Sequence, residues 1–150
     1  MAIKRNLSLQ EYSRDHHYAL LLCWKIKEGF SKGISVERIK KYVNWFYKNH
    51  IIEHFKMEEK YMFPVLDSNH ELIIRVMQEH KLLVDLFTNT TQIKDSLKQL
   101  QIALKNHVRF EEQILFNEIQ NVATKEELDL MAKYHHTEKF RDNLSDIFWK

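Results

Sequence analysis

Helix breakers are scarce in this chain, with two glycines and one proline among 150 residues. So few leave little room for frequent turns, and the chain reads as almost all helix. Cysteine is nearly absent too, and Cys23, standing alone, excludes an internal disulfide and reads as a small core residue. No apolar run approaches the roughly 18 residues a membrane-spanning helix requires, since even "YALLLCW" at 18–24 meets Lys25. The opening MAIKRNLSLQ has basic residues but no apolar run after them, so no secretory signal is expected and the chain should stay in the cytoplasm. Charge of one sign is also missing: 23 basic residues face 21 acidic ones along the chain, and no footprint for nucleic acid stands out. What is present is 44% apolar and 29% charged residues, the balance of one ordinary globular domain over residues 1–150.

Apolar spacing places a first helix from Ser8 to about Gly29, opened by a Ser8/Glu11 capping box, with Tyr12, His16, Ala19, Leu20 and Cys23 on one stripe. A second runs from near Ser35 to Pro64 and carries Tyr42, Trp45 and Phe46, read as packing. A Ser68/Glu71 box opens a third, reaching about Phe87; "TNTT" at 88–91 breaks the pattern, and a fourth follows to about Ile119. A Thr124/Glu127 box starts a terminal helix expected over about 125–148. Four long helices with short connections predict an all-α, up-down-up-down four-helix bundle over about 8–119, with the fifth helix laid against it or over one end.

One pattern is written twice. Residues 54–63 read HFKMEEKYMF and residues 107–116 read HVRFEEQILF. Positions four apart lie about 40° apart around a helix, so His54 shares a face with Glu58, and His107 with Glu111. Glu59 and Glu112 point sideways, as solvated carboxylates or as supports for the inner pair. A second echo pairs "RDHHYALLL" at 14–22 with "QEHKLLVDL" at 78–86, each with an acidic residue before a histidine, and matches His16 with His80. The halves together bring four histidines and two glutamates toward one interior, where such groups are costly unless hydrogen-bonded or shared with a metal. Imidazole and carboxylate suit iron, manganese or zinc.

The order His16, His54-x-x-x-Glu58, His80, His107-x-x-x-Glu111 resembles the hemerythrin family, in particular the hemerythrin-like HHE cation-binding domains. The resemblance implies a bundle holding two iron ions bridged by two carboxylates and an oxygen atom, with zinc or manganese as substitutes. Glu58 and Glu111 would be the bridges, His16 with His54 would serve one ion, and His80 with His107 the other. Unlike the oxygen carriers of that family, the chain has Val76 and Val84 one turn from His80, and Glu111 where they use an aspartate. One protein ligand fewer leaves more open coordination than reversible oxygen transport needs.

The expected function is therefore a non-haem di-iron protein that binds O2, NO or peroxide, for sensing, detoxification or iron handling. A di-iron oxidase or peroxidase and a metal-stapled interaction module are the alternatives, so enzymatic activity stays open. His50, one turn before His54, is placed beside the site rather than on the metal, and Tyr12 is read as a core tyrosine with a satisfied hydroxyl. His17 competes with His16, and the echo favours His16. His70, His135 and His136 are expected at the surface.

Overall fold

The computed structural model describes residues 4–135 and 140–150. Among them are five helices and no strand. α1 is the unbroken Leu7–Ser31. α2, residues 36–62, joins α-helical Val36–Phe46 and Ile52–Met57 through a π-helical turn at Tyr47–Ile51 and adds a second at Glu58–Met62. A 3-10 turn, Phe63–Val65, ends it at Pro64, whose missing N–H cannot continue the hydrogen-bond ladder. α3 is Glu71–Thr88. α4, residues 93–122, is built of Ile93–Phe110, a π-helical turn at Glu111–Leu115, and Phe116–Val122. α5 is Lys125–Tyr134. No helix among the described residues is long and apolar enough to cross a membrane.

Two of the three expected capping boxes are replaced. Asn6 caps α1, its Oδ1 accepting the Ser8 N–H at 2.9 Å, and His70 caps α3, its Nδ1 accepting the Leu72 N–H at 3.1 Å. Ser8 itself lies inside α1, and half-buried His70 is a cap rather than a surface residue. The Thr124/Glu127 box is present in both directions, at 2.9 and 3.1 Å.

The terminal helix is shorter than its spacing predicts: it stops at Tyr134, and residues 140–150 are irregular. Their polar side chains capture nearby backbone donors and so compete with a helical ladder; Asn143 Oδ1 takes the Ser145 N–H and Asp142 Oδ1 takes that of Asn143. Side chains tie this strap down. Phe148 is fully buried, Arg38 forks onto Asp146 at 2.7 and 2.9 Å, and Asp142 receives both the Tyr42 hydroxyl and the buried Lys25 ammonium. Gly29 makes the close approach possible, because a Cβ there would lie 2.9 Å from the Phe148 ring and 2.8 Å from Ile39. Gly33, at φ +69°, makes the turn after α1.

The buried face of α1 runs Leu9, Tyr12, His16, Ala19, Cys23, Ile26, with a histidine in an otherwise apolar stripe. α1 packs against α4 and α5, and α3 against α4. The core falls into two apolar clusters. One holds Leu22, Ile26, Val43, Phe46, Leu83, Leu100 and Phe148; the other holds Leu9, Tyr12, Met62, Val76, Leu115, Phe116 and Met131. His16, His54, Glu58, His80, His107 and Glu111 belong to neither, although all six are buried.

Candidate metal centre

Each of the first four helices delivers one histidine. His16 comes from α1, His54 from α2, His80 from α3 and His107 from α4, and α2 and α4 add Glu58 and Glu111, both without solvent exposure. Each glutamate is the first residue of a π-helical turn, a local widening of the helix common at functional sites. The ligand-type atoms gather in two groups, His16, His54, Glu58, Glu111 and Glu58, His80, His107, Glu111, in each of which all atoms lie within 4.8 Å of one another. Both glutamates are common to the two groups.

The outer edge of every imidazole is held by a carboxylate from another helix. His54 Nδ1 donates to Asp15 Oδ2 at 2.8 Å, His80 Nδ1 to Glu59 Oε2 at 2.8 Å, His107 Nδ1 to Glu79 Oε1 at 2.7 Å, and His16 Nδ1 to Glu112 Oε2 at 3.1 Å. The four bonds close a ring: α1 orients the histidine of α2, α2 that of α3, α3 that of α4, and α4 that of α1. A carboxylate only accepts, so each Nδ1 carries a proton and each neutral ring turns an Nε2 lone pair inward.

Inside, those lone pairs meet carboxylate oxygens. His54 and His80 Nε2 lie 3.2 Å from Glu58 oxygens, His107 Nε2 lies 3.2 Å from Glu111 Oε1, and His16 Nε2 lies 2.8 Å from the same oxygen. The Nε2 atoms of His54, His80 and His107, both oxygens of Glu58 and Glu111 Oε2 are buried without a hydrogen-bond partner. Acceptor facing acceptor in a dry interior is unfavourable unless positive charge lies between them. Such charge is supplied by a metal ion or, without one, by protons on the rings.

The electrostatics express the same demand. Burial by itself would lower the histidine pKa values, but Glu111 with Glu79 lifts His107 to about 10, Glu58 with Asp15 lifts His54 well above its ordinary value, and His16 and His80 are raised by their paired glutamates. Burial would raise Glu111, yet His107 and His16 hold it well below the usual carboxylate range. Asp15, Glu79 and Glu112 are likewise lowered by the histidines they support. Arg75 pairs with Glu79 at 3.0 Å and Arg5 lies 3.9 Å from Glu112. Six carboxylates against these two arginines leave an excess of four negative charges, which two divalent cations or four imidazolium protons would cancel.

His16 rather than exposed His17 faces the cluster. Tyr12 is fully buried and its hydroxyl donates to the Met131 carbonyl at 3.3 Å. His50 stands outside both groups, against Trp45, Phe46 and Phe140. His135 corrects an expectation: it is buried, 6% exposed, and its Nε2 donates to Asp15 Oδ2 at 2.9 Å, the oxygen that also holds His54. Its burial had no local signal, since it follows the last turn of α5 and reaches α1 only through the tertiary fold. His136 lies outside the described residues. The carboxylate ring was half visible, in the acidic residue before His16 and before His80 and in the two Glu-Glu pairs, but not which histidine each would serve.

Rings pack against the cluster: Phe55 stacks on His80 at 3.8 Å, and Phe116 on His16 at 5.2 Å. There is also an approach, a cavity of about 130 Å³ that reaches His16, His54 and His107. Fold and site together define an all-helical protein with buried His/Glu clusters that could hold a metal ion. No family model, no curated protein and no solved structure matches this chain.

Proposed function

We propose that this is a hemerythrin-like, cation-binding protein whose first four helices form an up-down-up-down bundle around two metal ions, with α5 laid against it. One observation carries the reading: four imidazoles and two glutamates from four helices converge in a buried interior, outer edges pinned, inner atoms other than His16 Nε2 and Glu111 Oε1 without hydrogen-bond partners. In this reading Glu58 and Glu111, common to both groups, would be shared by the two ions, with His16 and His54 holding one and His80 and His107 the other. Two divalent cations also cancel the local excess of negative charge.

Nitrogen and oxygen donors of this kind suit iron, with manganese or zinc as substitutes. The metal pair supplies Lewis-acid and redox chemistry for a small molecule such as O2, NO or peroxide, in sensing, detoxification or iron handling. The chain's own residues orient the donors, exclude water and leave room: Val76 and Val84, one turn from His80, offer no further ligand atom. A second reading, an oxidase or peroxidase, is favoured by the cavity, which is larger than a diatomic molecule needs.

Elemental analysis of chain purified from iron-supplied cells, with the visible spectrum followed through dithionite, NO and peroxide, tests both. Iron with bands that respond to NO supports the binding reading, and sustained consumption of peroxide supports the enzyme. Folded chain that takes up no metal contradicts both.

A further inference from the structure

The cavity of about 130 Å³ has a composition of its own. An apolar cavity of about 150 Å³ holds benzene. Its apolar wall includes the rings of Tyr18, Phe46 and Phe55 and the aliphatic Ala19, Ile51 and Leu104. Four nitrogens on lining residues have no partner: Nε2 of His54 and of His107, which belong to the His/Glu groups, and, outside those groups, Nδ1 of His135, which is 94% buried, and Nε2 of half-buried His50. A metal in those groups would not satisfy the latter two. Nε2 of His135 meets Asp15, a carboxylate that only accepts, and Nδ1 is the ring nitrogen left to accept from a ligand. Among the described residues no lysine or arginine lines the cavity while Asp15 and Glu53 do, which disfavours an anion.

We propose that this cavity is a binding site for a neutral single-ring aromatic alcohol, a phenol, its ring among Tyr18, Phe46 and Phe55 and its hydroxyl donating to His135 Nδ1. A benzene-sized ring suits the volume, and one hydroxyl supplies the partner His135 lacks. The cavity also reaches His16, His54 and His107, but the inference uses only groups outside the His/Glu clusters.

Calorimetric titration of zinc-loaded, full-length chain with phenol, benzene and benzoate tests it. Phenol should bind about tenfold more tightly than benzene, the difference one buried hydrogen bond makes, and benzoate should not bind. His135→Phe keeps a ring but removes the acceptor, and should bring phenol down to the level of benzene. Ala19→Leu, which fills the cavity from the α1 side, should abolish both; circular dichroism checks that each variant is folded. No detectable phenol binding, phenol no tighter than benzene, benzoate equal to phenol, or phenol binding untouched by both substitutions overturns the proposal. If the chain takes up no zinc the metal reading fails by itself, and the same titrations on metal-free chain still decide this one.

Discussion

Asp15, Glu59, Glu79 and Glu112 hold the four clustered histidines by their far edges, and such partners fix both tautomer and ring angle. Replacing Glu79 with Gln keeps the shape but turns a charged acceptor into a neutral one. Competitive zinc titration should show a loss of roughly 10- to 100-fold in affinity, with the number of ions bound at saturation unchanged. Unaltered affinity would mean that Glu79 serves Arg75 and not His107. His54→Ala and Glu58→Ala remove proposed ligands outright, so metal content and thermal stability should fall together, by about 4 kcal/mol where metal exceeds its Kd a thousandfold. Parent-like metal content in both would sink the ligand assignment. At this scale the inner six were legible because type and four-residue spacing recur. The outer four were not assignable, since each serves a histidine on another helix and no local spacing encodes that.

The helices follow their apolar spacing, and the exceptions have local causes. The π-helical turns at Glu58 and Glu111 occur at corresponding places in the repeated motif, so the echo extends to backbone geometry that composition does not reveal. Spacing alone also could not tell that residues 140–150 leave the helix, because Phe140, Leu144 and Phe148 lie four apart as helical positions do. Side-chain capture of backbone donors by Asp142 and Asn143, and the slot beside Gly29, decide otherwise. Phe148→Ala should cost about 3–5 kcal/mol in urea melts of the metal-free chain, because a fully buried ring leaves a cavity against Ile39 and Gly29. A change below about 1 kcal/mol, the range of ordinary surface substitutions, would mean that the strap is not docked.

For the whole molecule the balance of charge joins fold to function. Without metal, four raised histidine pKa values let protons stand where cations belong. Loading the site with zinc in weak buffer near neutral pH should therefore release protons, at most four per chain, read with a pH indicator. The pH dependence follows with opposite signs in the two forms. In metal-free chain the folded pKa of His107, about 10, lies above its unfolded value, so its contribution is complete below about pH 6.5 and is lost as pH rises through 10. In loaded chain the rings must be neutral, so metal is lost as pH falls. The rise in Tm on adding zinc should be larger at pH 8.5 than at pH 5.5; the reverse order would remove the histidines from the ligand set.

The most direct test counts metal: the full-length chain and its Glu111→Ala variant are dialysed against iron(II) without oxygen, and bound metal per chain is measured by elemental analysis. Two ions per parent chain, and fewer than one in the variant, are the predicted result for two sites that share Glu111. Folded parent chain that binds none, or a variant that still binds two, would contradict a shared metal pair at the heart of the fold.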